Sequence, residues 1–409
     1  MLRRLLAALI ALVALAALTA VLTGPSAPSA GAAGGIPVPD EDPFYAQPAD
    51  LAASEPGDVL DSREVEVNAY SMPLPVQAWQ VKYRSEDNSG RPTANVTTIM
   101  VPDRPWTGAG PRPLLSYQTA EDSAGTHCAP SYGLRAGFAA PVANAESGLM
   151  AMALNRGWAV VVPDYQGPDS QFLGGYGEAR GVLDSLTAVR DFAPAGVQDS
   201  PIGMTGYSGG AVATTWAAQY QRALAPGLPI RAVSLGGVVA DYRSTIKQFD
   251  LLGLDGIVMM GVATVSRSYP AENLTSNLNA RGMEVLRGVE RACIHEAQAR
   301  YPLVRLNQLT KVPNVLDTPP IVAFLRRISP LGYAGNPMAP VFMYHATLDE
   351  LAPIRPAREL FRRFCAAGVA VKKVETPLGE HFSETVRGFP SALRYLDDRF
   401  AGKPAPSSC

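Results

Sequence analysis

The chain has 409 residues, 47% hydrophobic and 18% charged, which excludes a disordered tail, a collagen and a disulfide miniprotein. Thirty-five basic against thirty-seven acidic side chains leave a net charge of −2, a balance that carries no electrostatic footprint for nucleic acid. The 37 glycines and 36 prolines suggest a globular body with many turns and long loops.

In chain order, Arg3 and Arg4 precede an apolar run over 5–22, and a small-residue tract follows, with Ala27 and Ala30-Gly31-Ala32 as cleavage sites. This reads as an export signal over residues 1–33; the alternative is an uncleaved membrane anchor. No other stretch is apolar enough for a membrane. The Ala/Arg-rich, Lys-poor composition reads as bacterial, so the glycosylation sequons at Asn95 and Asn273 are set aside. Export makes the four cysteines legible. Cys128, Cys293, Cys365 and Cys409 include no CxxC pair, hence no zinc or redox motif. In an oxidising compartment an even count favours two disulfides, with three connectivities open; free buried thiols are the alternative.

Residues 40–75 are rich in proline and acid and are expected to cross the surface before the sheet begins. Strand-like runs at 76–83 and 94–101 flank the turn Asp87-Asn88-Ser89-Gly90. Short apolar strands at 113–117, 159–163, 202–205 and 232–239 then alternate with helical periods at 148–156, 179–192 and from Gly209. That succession predicts an α/β fold: a mostly parallel sheet covered by helices on both faces. Residues 241–333 hold no clear strand but several helical stretches, including the apolar run 249–265. The rhythm resumes with a strand at 340–344, a helix at 355–367, a strand at 369–375 and a helix near 383–400. One α/β core over 34–240 and 334–409, carrying an inserted helical cap over 241–333, accounts for the pattern better than two independent domains.

The central motif is Gly206-Tyr207-Ser208-Gly209-Gly210, a G-x-S-x-G between a strand and a helix. A nucleophile at such an elbow needs small neighbours, because its backbone is strained and packed closely. Ser208 would also sit at a helix N-terminus, which favours a developing negative charge. A structural serine in a tight turn is the bland reading. A serine hydroxyl needs a base, and the chain has four histidines. On this kind of sheet the partners follow in the order serine, acid, histidine. His127 precedes the serine, His295 falls in the cap, and His345 precedes most available acids. His381, in the loop after the last strand, is therefore the expected base. Asp349 and Glu350 lie just past the preceding strand; Asp349 is the preferred acid, and a helix-capping aspartate is its alternative role. One oxyanion donor is expected at the amide of Gly209; the other belongs to the loop 118–125, and spacing alone does not select it. Four scattered histidines give no metal motif such as H-E-x-x-H, and no cofactor is implied.

At this point a resemblance becomes specific. The stretch SYQTAEDSAGTHCAPSYGL (116–134), together with DPFY (42–45), PGDVL (56–60), VVVPDYQGPDS (160–170) and TGYSGGA (205–211), resembles the secretory lipases typified by Candida lipase A. The similarity runs from about residue 40 to the end. It implies an α/β-hydrolase with a helical lid and a Ser208–His381–Asp349 triad. It also implies oxyanion donors at the amides of Asp122 and Gly209, and disulfides Cys128–Cys293 and Cys365–Cys409. The expected partner is a lipid or other small ester, met in some cases at a lipid–water interface, with no obligate protein partner. The apolar run 249–265 either lines an acyl tunnel, meets lipid, or is ordinary cap core. An exported peptidase on the same fold and a non-catalytic binding protein on a hydrolase scaffold are the rival functions.

Overall fold

Strands whose two faces are both buried must be apolar throughout, and this condition organises the molecule. The computed structural model describes residues 35–137 and 144–409, so the export-signal reading of residues 1–33 lies outside the described residues. In the body Val38–Cys409, nine strands lie side by side. Their order is β1 (Val59–Glu64), β4 (Val76–Glu86), β5 (Pro92–Pro102), β7 (Ala159–Pro163), β6 (Leu114–Gln118), β8 (Ile202–Tyr207), β9 (Ile230–Gly236), β10 (Val341–Ala346) and β11 (Val371–Thr376). A short ribbon pairs β2 (Asn68–Ala69) with β3 (Met72–Pro73). The pairs β1/β4, β4/β5 and β5/β7 are antiparallel; every pair from β7 to β11 is parallel.

Alternation along β7 shows how the core divides. Ala159 and Val161 pack with the helices Tyr176–Asp191, Gly209–Leu224 and Ile354–Ala366 on one face. Val160 and Val162 pack with Ser147–Leu154 and His381–Phe400 on the other. The mostly parallel sheet is thus covered by helices on both faces, as the strand–helix alternation predicts.

One expectation is corrected. Residues 40–75 do not merely cross the surface, because β1 lies within them and forms the sheet edge against β4. Its sequence, VLDSRE, is largely exposed and lacks apolar alternation, so an edge strand of this kind has no hydrophobic period to reveal it.

Between β9 and β10 the chain is helical, with helices at Tyr242–Leu252, Asp255–Ser268, Ala280–Val289, Ile294–Arg300 and Pro319–Ile328. The apolar run 249–265 is not one element: Gly253, at φ +74°, ends the first helix before the second begins. Met259 and Met260 are fully buried in a core shared with Val285, Leu286 and Val289, so this part of the run is packing. Leu251, by contrast, is 69% exposed.

The C-terminal tail folds back along the sheet edge. Ser408 N–H donates to the Val371 carbonyl at 2.7 Å, and the Cys365–Cys409 disulfide closes a loop across 44 residues. Constraining that loop in the unfolded chain stabilises the fold. The double substitution Cys365→Ser, Cys409→Ser is expected to lower the free energy of unfolding by about 2–4 kcal/mol. Urea titration of both chains measures this, and identical midpoints would contradict it.

Candidate active site

Ser208 joins β8 to the helix Gly209–Leu224 at φ +54°, ψ −121°, a left-handed backbone that a side chain disfavours. Its neighbours explain how the turn closes. A Cβ on Gly206 would lie 2.3 Å from the Gly210 carbonyl, and one on Gly210 would lie 2.0 Å from the Gln118 carbonyl oxygen. Only glycine fits these two positions. The Ser208 amide is itself tied to the Gly236 carbonyl at 2.9 Å.

Because β8, β10 and β11 run parallel, the loops after them open on one rim. There the structure brings together the three side chains singled out from sequence. His381 Nε2 lies 2.9 Å from Ser208 Oγ, and His381 Nδ1 lies 2.8 and 2.9 Å from the two oxygens of Asp349. A carboxylate accepts only, so Nδ1 carries the hydrogen and Nε2 is left to accept from the hydroxyl. Asp349 is fully buried as a side chain, and its Oδ1 also accepts the amides of Leu351 at 3.1 Å and Ala352 at 2.6 Å. Glu350 takes a different part: its carboxylate accepts the main-chain N–H of His381 at 3.1 Å.

His381 is not in a loop, as expected, but is the first residue of the helix His381–Phe400. The Glu380 carboxylate accepts the amides of Phe382 and Ser383 and caps that helix two residues earlier than apolar periodicity suggests. Sequence reasoning also missed Tyr207. Its hydroxyl donates to the His381 carbonyl at 2.6 Å, and its ring lies 5.1 Å from the imidazole.

The loop after β6 reaches the same place. Asp122, at φ +36°, packs so tightly on Gly209 that a Cβ there would fall 1.7 Å from Asp122 Oδ1. The Gly209 amide is the first of its helix and has no intrahelical acceptor. Matched to its neighbours, the Gln166 amide is assigned with its oxygen toward the Asp122 N–H, 3.2 Å away, and its nitrogen toward the Ser123 carbonyl, 2.9 Å away. Further anchors come from elements the sequence did not connect with this loop. Tyr165 Oη donates to the Thr119 carbonyl at 2.8 Å, and Glu146 accepts from the Ala120 amide at 2.7 Å and the Tyr117 hydroxyl at 2.6 Å. At its far end the Cys128–Cys293 disulfide and a bond from Ala124 N–H to the Ala292 carbonyl, 2.9 Å, join the loop to the helical segment. His127 lies beside those two sulfurs, but the disulfide removes them as thiolate ligands for a metal.

A mostly parallel sheet with this elbow and this order of serine, acid and histidine defines an α/β-hydrolase. The secretory lipase family matches residues 134–408, and the chain belongs to it. Lipase 6 of Candida albicans is 32% identical over 394 residues, spanning 91% of this chain and 83% of that one. A Mycobacterium tuberculosis protein described as a probable inactive lipase, MT1628, is 35% identical over 375 residues, spanning 90% and 83%. Among solved structures, Candida antarctica lipase A superposes with a TM-score of 0.82 at 28% identity, over 92% of this chain and 89% of that one. The chain is thus a hydrolase of the lipase and esterase type.

Several acids around the site and the sheet are buried so deeply that desolvation outweighs the hydrogen bonds they accept. Burial pushes Asp122 up to about 7, against the opposing influence of His381. It likewise raises Glu146, Asp164 and Asp184 to about 7, and Glu178 and Asp255 to about 8. Between about pH 4, where these groups ionise in the unfolded chain, and pH 7–8, the folded chain holds protons that the unfolded chain has lost. Stability therefore falls as pH rises through that window. His295 and His345, both lowered by burial, work the other way below their ordinary 6.5. Six carboxyls outweigh two imidazoles, so the melting temperature is expected to be higher at pH 5.5 than at pH 8. A steady rise from pH 5 to 8 in thermal scans would contradict the sign.

Proposed function

We propose that the chain is an exported serine ester hydrolase that cleaves acylglycerols or related lipid esters through an acyl-enzyme at Ser208. The observation that carries this reading is the unbroken relay from Ser208 Oγ to His381 at 2.9 Å and on to Asp349 at 2.8 Å. His381 Nε2 takes the hydroxyl proton as Oγ attacks the ester carbonyl, then returns it to the leaving alcohol; a water repeats the cycle to free the acid. Asp349 fixes the tautomer and stabilises the imidazolium. The tetrahedral oxyanion forms at the start of the helix Gly209–Leu224, against the amide of Gly209. The amide of Asp122 joins it once its hydrogen turns from, or is shared with, Gln166. With its carboxyl neutral below about pH 7, Asp122 brings no negative charge next to that oxyanion.

In this reading residues 241–333 form a cap over the core of 34–240 and 334–409, and residues 1–33 direct export. Two disulfides suit an oxidising compartment, and no helix among the described residues is long and apolar enough to cross a membrane. Lipid esters are favoured over small soluble ones by the rim itself. Leu348, Leu378, Phe382 and Val386 flank Asp349 and His381 and are 59%, 83%, 64% and 66% exposed. Leu378 is also held at φ +57°, so it bears backbone strain and buries almost nothing within the chain. One relative's description as a probable inactive lipase keeps a second reading in play, a binding protein that retains the scaffold.

Incubation with a fluorophosphonate and hydrolysis of p-nitrophenyl esters separate the two. The wild type is expected to label at Ser208 and turn over, and Ser208→Ala to do neither, with kcat down by about 10^4-fold or more. Equal hydrolysis by both chains would remove Ser208 as nucleophile; an unlabelled, inactive wild type would favour the binding protein. The rim gives a separate prediction. Leu378→Ser combined with Phe382→Ser is expected to reduce hydrolysis of an emulsified long-chain triacylglycerol by about tenfold or more, since each side chain withdraws roughly 1.5–3 kcal/mol of apolar burial. p-Nitrophenyl acetate hydrolysis is expected to change by less than about twofold, because the acetyl group presents little apolar area to the rim. Equal losses on both substrates would show that the rim does not contact lipid.

A further inference from the structure

Asp349 has two oxygens, and their surroundings differ. Oδ1 is surrounded by main-chain donors, the amides of Leu351 and Ala352, as well as by His381. Oδ2 faces two imidazoles: His381 Nδ1 at 2.8 Å and His345 Nε2 at 3.4 Å. His345 is the second-last residue of β10 and is 5% exposed. Its Nε2 also lies 2.8 Å from the Ala352 carbonyl, which closes the loop that carries Asp349. A carbonyl only accepts, so His345 Nε2 must carry a hydrogen, which it donates to the Ala352 oxygen, while Asp349 Oδ2 lies within ion-pair range of the same nitrogen. The charged or titratable groups facing this imidazole are Asp349, His381 and, from β11, Glu375, which is itself paired with Arg358 and Lys373.

We propose that His345 is a positioning residue for the acyl-transfer reaction: its Nε2–H, donated to the Ala352 carbonyl, closes the loop whose Ala352 amide holds Asp349 Oδ1, and so keeps the carboxylate in line with the His381 imidazole. This rests on the serine-hydrolase reading above. While His381 passes from neutral to cationic and back, Asp349 is pulled toward it and then released. Oδ2 has no hydrogen-bond donor but the reacting imidazole among the contacts given for it, so the carboxylate is held through Oδ1 and the loop that His345 closes. A neutral donor suits the task better than a cation, because a second positive charge beside Asp349 would compete with the His381 imidazolium for the same oxygen. Burial keeps His345 in that neutral form.

Steady-state hydrolysis of p-nitrophenyl butyrate by His345→Leu and His345→Gln tests this. Leucine fills the space without a donor; glutamine restores an N–H near the position of Nε2. The expected result is a loss in kcat of about tenfold for His345→Leu with KM within twofold, and recovery to at least about a third of the wild-type kcat in His345→Gln. In an Asp349→Ala background, His345→Leu should cost less than about twofold more, because a residue acting through Asp349 has nothing left to position. A His345→Leu chain within twofold of wild type, or a His345→Gln chain as slow as His345→Leu, would overturn the inference. Should His345→Leu fail to fold, His345→Ala is judged by the same criteria. An active, fluorophosphonate-labelled wild type with an indifferent His345 sinks this inference alone; an inactive, unlabelled wild type sinks the hydrolase reading with it.

Discussion

Holding a serine in a left-handed turn is the constraint on which the rest of the site depends. A non-glycine residue in that region costs on the order of 1–3 kcal/mol and persists only where its surroundings leave no alternative. Here they leave none. The Ser208 amide is bonded to β9, and the two glycines at 206 and 210 let the following helix and the β6 loop close to within a distance no Cβ would permit. The strain aims Oγ off the end of the sheet, toward the rim where the loops after β10 and β11 also arrive. Relaxing the turn would therefore not merely shift one side chain; it would separate a hydroxyl from a base brought to it across 173 residues of sequence.

The legibility of the sequence follows from the same physics. Strands buried on both faces betray themselves as apolar runs, so β6 to β11 could be read within a few residues, and the serine, acid and histidine fell at their ends in the order that such a sheet requires. What failed was whatever lacks a period. β1 is an exposed edge with mixed polarity, and nothing in VLDSRE distinguishes it from a loop. Apolar periodicity sets the start of the last helix too late, because Glu380 caps it through a side chain, the buried His381 is polar and the apolar Phe382 is exposed. Gly253 inside an apolar stretch was read as part of one run, although its positive φ divides that run into a buried helix and the end of a more exposed one. The choice of Asp349 over Glu350 could be made from position, but the division of labour between them, one on the imidazole and the other on its main chain, required coordinates.

Residues from three of the motifs that carried the family resemblance have a different use from the triad. Tyr45 of DPFY, Ser131 of CAPSY and Asp164 of VVVPDYQ meet in one buried cluster: the Tyr45 hydroxyl lies 2.8 Å from Ser131 Oγ, and the Ser131 amide and hydroxyl both donate to Asp164. Gln80 of β4 donates to the Ser131 carbonyl at 2.9 Å and completes the cluster. The next residue after Asp164, Tyr165, holds the loop of Asp122 through Thr119. These residues join the segment before the sheet, β4 and the segments after β6 and β7 into one buried unit next to the loop 118–125, and Tyr165 ties that loop to it. Their use is structural, so on their own they would serve a binding protein of this scaffold as well as an enzyme.

The helical segment between β9 and β10 cannot be treated as a lodger on the core. Its Cys293 is covalently joined to Cys128, its Ala292 carbonyl accepts the Ala124 amide, and its Arg267 donates to the Ala124 carbonyl at 2.9 Å. All three attachments fall within six residues of Asp122, on the loop that packs against Gly209. The segment is thus tied directly to that loop as well as packed on the core, and the loop's other anchors, Tyr165 and Glu146, belong to the sheet side. Asp122, the proposed oxyanion donor, sits between two sets of fastenings, one to the core and one to the inserted helices. On the proposed reading, the oxyanion site and the inserted helices are therefore joined through one short loop, and a substrate in contact with those helices acts on that loop as well.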